Sequence, residues 1–159
     1  MAQTTNAISQ AGFKVEVSSD GSSWTDVSGA SGTVQLSGGD VKVGSQHTAD
    51  GSQAIVVTSN KTEPIEVTIK TLYTETAGEA WKVVKAAYDA ANKVIYLRWS
   101  PKGGGAGSAR FTTAAGGVAA AAPLTSCLPP DLDAAGEDPA MFEFSVMAAG
   151  LLEDTVPEA

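Results

Sequence analysis

Few side chains in this sequence could do covalent chemistry, and those few lack the company such chemistry needs. His47 is the single histidine and sits in a polar stretch, where it reads as an exposed loop residue. A Ser-His-Asp triad would want its serine on a G-x-S-x-G elbow, and the chain has none. Cys127, the one cysteine, rules out an intramolecular disulfide and a thiolate metal site, and between Ser126 and Leu128 it reads as a small packing residue. Asp131, Asp133 and Gly136 match the start of a calcium loop. However, Ala135 replaces the third oxygen ligand and Phe142 stands where the closing bidentate Glu belongs. That stretch reads as a solvated acidic turn. The glycine-rich segment 103–107 lacks the Gly-Lys-Ser/Thr ending of a phosphate loop and precedes a strand pattern, so it reads as a hairpin tip. Asn60-Lys61-Thr62 is a formal glycosylation sequon with no sign of secretion around it. No catalytic residue, metal ligand or cofactor is therefore assigned, and an enzyme built on the 131–138 acids ranks last among the readings.

The bulk charge points the same way. Ten Lys and Arg against 18 Asp and Glu give a formal charge of −8 over 159 residues. Gripping nucleic acid requires cations, so this balance argues against a DNA-binding protein while allowing a surface that DNA passes without sticking. The start, "MAQTTNAISQ", lacks the basic and apolar regions of a secretion signal, and no run is long enough for a membrane helix. A cytosolic home without a membrane partner is the expectation.

The elements that would carry any function are mostly strands. Residues 1–11 are polar and are expected to form a flexible arm. Phe13, Val15 and Val17 alternate with Lys14, Glu16 and Ser18, Asp20-Gly21 turns the chain, and Trp24 and Val27 open a return strand. Val34 and Leu36 mark a short strand. Residues 37–53 are polar and carry no apolar run, and are expected to be a projecting hairpin or a mobile loop. Strand character resumes at 54–58 and 64–73. Then the pattern changes: Thr76-x-x-Glu79 fits a capping box, and Trp81, Val84, Tyr88 and Ala91 follow at helical spacing, predicting one flanking helix over about 76–91 that stops near Asn92. Lys85 and Asp89 stand four apart on its exposed side. Residues 93–100 are apolar on both alternating sets, as for a central strand, and 109–113 return from the glycine turn. The stretch 114–139 reads as a strand fragment plus irregular connection, 140–150 as the last strong strand, and 153–159 as an acidic tail. One mostly-β domain over 12–152 results, a sandwich or barrel with the helix on its flank.

The order of these segments resembles the major tail tube proteins of long-tailed, siphovirus-type bacteriophages. The residues that carry the likeness are "VSSDGSSWTDVSG", "EPIEVTIKTLYTE" leading into the helix, "VIYLRWSPKGG", "RFTT" and "PAMFEFSVMAAGLL". The resemblance implies a tail tube fold whose subunits form six-membered rings, with inner strands joined into a continuous barrel and rings stacked into a hollow tube. It further implies assembly in the host bacterial cytoplasm into a virion tail. Partners would be copies of the chain, with tail-tip initiator, tape-measure and tail-terminator proteins, and genomic DNA passing transiently. By the same analogy 37–53 reaches a neighbouring subunit or ring, with Gly38, Gly39, Asp40, Gly44, His47, Asp50 and Gly51 as contact candidates. Removing residues 40–50 is then expected to leave a folded monomer that fails to polymerise. Glu16, Glu66 and Glu143, each on the polar side of an expected strand, are the lumen-facing acidic candidates. Two other readings stay open: the inner tube of a contractile injection system, and a monomeric immunoglobulin-like or carbohydrate-binding sandwich.

Overall fold

In the computed structural model, residues 2–158 are described. The described residues form twelve strands and one α-helix, all but β4 and β5 belonging to two packed layers and their flanking helix: β1 Lys14–Ser18, β2 Thr25–Asp26, β3 Ser31–Gly38, β4 Val41–Gln46, β5 Ile55–Thr62, β6 Ile65–Leu72, α1 Ala80–Asp89, β7 Val94–Ser100, β8 Ala109–Ala115, β9 Val118–Ala119, β10 Ala122–Leu128, β11 Met141–Ala148 and β12 Gly150–Thr155. The first layer runs β2-β1-β7-β8-β12, with β9 folded back on β8. The second runs β10-β11-β6-β3. Every pairing is antiparallel.

β7 is the corner between the layers. It pairs with β1 from Tyr96 to Ser100, with β8 through Arg98 and Trp99, and with β10 through Val94 and Ile95. Its Ile95, Leu97 and Trp99 are buried, while Val94, Tyr96 and Arg98 on the alternate set are half-buried. The core lies between the layers. Val15, Val17, Ile95 and Leu97 meet Val67, Ile69, Phe142, Phe144 and Val146, all completely buried or nearly so. The helix adds Ala80, Trp81 and Val84, and Trp81 stands edge-on to Phe142 with 5.0 Å between ring centroids. Thr71 is also fully buried, and its hydroxyl has no hydrogen-bond partner.

Three sequence expectations are corrected. The helix starts later than the capping box suggested: Glu79 is the N-cap residue and its side chain caps nothing, because its carboxylate accepts from the Thr74 hydroxyl instead. Only the Thr76 carbonyl takes part, accepting from the Glu79 N–H at 3.3 Å. The helix ends at Asp89, and Lys93, not Asn92, takes the left-handed conformation beyond it. The Lys85–Asp89 pair forms as expected.

The second correction is β10, a complete core strand inside 114–139. It buries Ala122, Leu124 and Cys127, small or isolated apolar residues that give little periodic signal. The third is the C-terminal tail, whose residues 153–155 belong to β12 and pair with Phe111, Arg110 and Ala109 of β8. Asp154 is held there by Arg110, whose Nε and Nη2 donate to its two carboxylate oxygens, so its charge serves the sheet.

Candidate functional site

Five exposed aliphatic residues are gathered on β4 and β5. These two strands pair only with each other, in a sheet of their own outside the sandwich. The polar segment 37–53 thus becomes the first arm and tip of a longer hairpin that runs to Thr62. Val41, Val43, Ile55, Val56 and Val57 are 54–64% exposed. The cross-strand register sorts them onto both faces. Val43 lies opposite Thr58 and Ser45 opposite Val56 on one face, while Gly44 lies opposite Val57 and Gln46 opposite Ile55 on the other.

The base of the hairpin is tightly specified. Gly38 has a φ of +84°, and a Cβ there would sit 2.2 Å from the Pro64 carbonyl oxygen, so only glycine fits. Gly39 follows at +77° and donates to the same carbonyl at 3.3 Å. Asp40 accepts from the Glu63 N–H at 2.9 Å, and Lys42 pairs with Glu63 at 2.9 Å. A bulge interrupts the register between Val41 and Val43. Opposite it, Asn60 takes a φ of +55° and the Ser59 hydroxyl donates to the Lys42 carbonyl at 2.9 Å. Gly44 lies within β4. His47, Asp50 and Gly51 form the exposed tip, closed by a bond from the Gly51 N–H to the Thr48 carbonyl at 3.3 Å.

The second surface is the outward face of β10-β11-β6-β3. Its rows alternate with the core rows and are mostly polar, with Leu128 beside Glu143 and Met147 beside Glu66 as apolar members. Gln35, Thr68 and Ser145 lie side by side, with the Thr68 and Ser145 hydroxyls 2.8 Å apart; Thr33, Lys70 and Glu143 form the next row, and Ser37, Glu66 and Met147 another. Glu66 and Glu143 therefore share one face. Glu16 does not join them. It lies on β1 in the other layer, where Arg98 donates to it at 2.7 Å and Lys14 approaches to 3.1 Å. Burial alone would raise the pKa of Glu16, but the hydrogen bonds and charges of Arg98 and Lys14 outweigh it and leave the carboxyl below its ordinary range. Arg98 also stacks on the Trp24 ring, 3.9 Å from its centroid.

This four-stranded sheet is open on both sides. β3 pairs with β6 alone, leaving the far edge of Ser31–Gly38 without a strand, and β10 pairs beyond β11 only at Ala122 and Pro123. Its two ends also differ. The hairpin leaves from the end marked by Gly38 and Ile65, whereas the 129–140 connection leaves from the end marked by Leu72 and Met141. That connection carries Asp131, Asp133, Glu137 and Asp138, all exposed, and the Asp133 carboxylate accepts from the Ala135 N–H at 3.0 Å. Among the described residues no three or more His, Cys, Asp or Glu side chains are grouped to hold a metal, and no helix is long and apolar enough to cross a membrane.

Solved structures share this architecture over nearly the whole chain. One is a chain from the sheath–tube complex, in its extended state, of an extracellular contractile injection system, with a TM-score of 0.63, 15% identity, and 96% of this chain and 94% of that one covered. The fold is that of chains from contractile injection particles. A chain of the anti-feeding prophage tube-terminating cap aligns with a TM-score of 0.63 at 16% identity, covering 98% of this chain and 95% of that one. A chain of the anti-feeding prophage baseplate reaches 0.67 at 9% identity, covering 97% and 99%. No protein-family model and no curated protein sequence matches the chain.

Sequence reasoning missed the second arm of the hairpin as a surface. Ile55, Val56 and Val57 are consecutive, the pattern of a strand buried on both sides, and so read as one more strand of the sandwich. The available signal was its pairing partner: a polar, glycine-containing segment cannot supply a core neighbour for such a strand.

Proposed function

We propose that this chain is the tube subunit of a phage-tail-like particle, a structural protein that closes into rings and stacks into a hollow tube. The observation that carries the reading is the sheet β10-β11-β6-β3, mostly polar on its outer face, with no strand beyond β3 and only Ala122 and Pro123 of β10 paired beyond β11. An exposed edge is a hazard to a monomer, and pairing β3 of one copy with β10 of the next around a ring removes it. The outer face then lines the bore, with Glu66 and Glu143 among its residues.

Simple geometry supports the closure. Six copies would contribute 24 strands (six times four). At a spacing of about 4.8 Å and a tilt of about 40°, they close into a cylinder with a backbone diameter of roughly 48 Å. After side chains, the bore remains far wider than the ~10–12 Å of a helix, enough to pass nucleic acid or protein. A hexamer also carries a formal charge of about −48, six times −8. Part of that charge on the wall keeps an anionic cargo moving instead of adhering.

Between the two tube readings, the structural neighbours favour the inner tube of a contractile injection system over the tail tube of a siphovirus. Initiator, length-setting and terminator partners and DNA passage belong to the proposal in either form. Sedimentation velocity over a concentration series tests it: rings of about 97 kDa (six times 16.1 kDa) and larger stacks are expected. A chain that sediments as a monomer throughout, and binds a saccharide or peptide instead, would favour the binding-module reading.

A further inference from the structure

We infer that the cleft between the 129–140 connection and the outer face of β6, β10 and β11 binds an extended, lysine- or arginine-bearing segment of polypeptide. The cleft has a volume of about 580 Å³, within the ~300–1,000 Å³ of ligand-holding clefts. Its floor is the sheet, where the hydroxyls of Thr68, Ser126 and Ser145 lie. Its wall is the connection, which leaves β10 through Pro129 and Pro130 and returns to β11 through Pro139. Proline fixes φ, so the wall is stiff where it leaves and rejoins the sheet. The Ala140 carbonyl anchors its end by accepting from the Tyr73 N–H at 2.9 Å. Among the described residues, 129–139 make hydrogen bonds only within the connection, from the Gly136 and Ala135 N–H groups to Asp133, and none to the floor. The wall thus stands beside the floor without closing onto it.

Charge selects the occupant. Asp131, Asp133 and Asp138 stand on the wall and Glu143 on the floor, with Lys70 the one cation among the lining residues, so the cleft carries three net negative charges. Elsewhere the acids are neutralised: Glu16, Asp26, Glu63, Asp89 and Asp154 each meet a Lys or Arg, whereas among the described residues no ion pair reaches the four cleft acids. Nucleic acid is repelled by such a lining, and the acids do not converge in the threes that a metal ion needs. The remaining surface fits a peptide. Leu128 and Leu132, 69% and 81% exposed, flank the cleft and offer aliphatic contact to the stems of Lys and Arg. Hydroxyls both donate and accept, as the N–H and C=O of a backbone amide require. The site is complete within one chain and does not rest on the tube reading; in a tube its floor would be the bore-facing sheet, and the wall that lets an anionic cargo pass would hold a basic one.

Fluorescence anisotropy of the full chain with a labelled Lys-Leu-Lys-Leu-Lys peptide tests this. Saturable binding is expected, with no binding of the matching Glu-Leu peptide or of single-stranded DNA. The variants D131N/D133N/D138N and L128S/L132S change exposed side chains only, so their thermal midpoints should match the parent while each weakens binding at least about tenfold. The control D50N/E75Q/E158Q removes as many charges away from the cleft and should bind like the parent. Equal weakening by the cleft and control variants would overturn the inference, since the attraction would then belong to the net charge of the whole chain. Displacement of the peptide by spermine as effectively as by unlabelled peptide would overturn it too, because a polyamine offers charge without amides. Absence of saturable binding would do the same. Ring formation enters none of these readouts, so the cleft and the tube reading stand or fall separately.

Discussion

Excising the hairpin separates its part in assembly from any part in folding. The ladder between β3 and β6 continues through Gly39 and Asp40, which bond to Pro64 and Glu63. Residues 41–62 can therefore be replaced by Asn-Gly, which closes a two-residue turn between Asp40 and Glu63. The cut proposed from sequence, 40–50, would leave β5 without its partner and expose Ile55, Val56 and Val57 on a free strand; the longer excision avoids this. The effect on the monomer follows from two terms. All residues of β4 and β5 are exposed, so no core burial is lost, and the Lys42–Glu63 pair is solvent-accessible and contributes little. Shortening the connection from about 22 to 2 residues reduces its closure cost by roughly 2 kcal/mol. The excised chain should thus be as stable as the parent or more so, with a thermal midpoint up to about 4–8 °C higher. Circular dichroism melting measures the midpoint, and sedimentation and electron microscopy measure assembly. A loss of several degrees, or failure to fold, would refute the view that the hairpin stands outside the core. Normal tubes from the excised chain would refute its role in assembly.

Four other outcomes follow from particular contacts. Thr71→Val replaces a buried, unpartnered hydroxyl with a methyl and should stabilise the fold by about 1 kcal/mol in denaturant titration. Trp81→Ala removes the ring that joins α1 to Phe142 and Tyr73 and should cost about 3–5 kcal/mol in the same assay. The carboxyls of Asp154, held by Arg110, and Glu16, held by Arg98 and Lys14 against the effect of burial, have folded-state pKa values below their ordinary ones. Their stabilisation is therefore present above about pH 4 and is lost as the pH falls further; the thermal midpoint should drop on acidification, and less steeply in E16Q/D154N. Changing Glu66 to Lys and Glu143 to Gln turns the Glu66–Lys70–Glu143 set from one net negative charge to two net positive. Tubes of that variant should retain duplex DNA in a salt-dependent way that the parent's do not, as read by filter binding.

Much of the sandwich was legible because its strands alternate cleanly. Val15 and Val17, Val67 and Ile69, and Phe142, Phe144 and Val146 each mark one buried face at a spacing of two. The helix was legible from Trp81 and Val84, although its start was misplaced because Glu79 was free to turn to Thr74 instead of its own backbone. β10 was not legible: Ala122, Pro123 and Cys127 give no strand signal alone, and the burial of Ala122 and Cys127 comes with their pairing to Ile95 of β7 and Phe144 of β11. The assembly surface was legible in half. Gly38, Gly39 and the polar tip marked a projection, but a hydrophobicity pattern cannot tell apolar residues buried within a chain from those held out for other chains. For the same reason Glu16, Glu66 and Glu143 looked alike in sequence, and only the register divides them between two layers.

The most direct test of the account is a cryo-electron microscopy reconstruction of the particles formed by the purified chain at high concentration. The account predicts a hollow tube whose inner wall is one continuous sheet, β3 of each copy pairing with β10 of the next, with Glu66 and Glu143 facing the bore. Tubes walled by the other layer, or particles in which the edges of β3 and β10 remain unpaired, would contradict it.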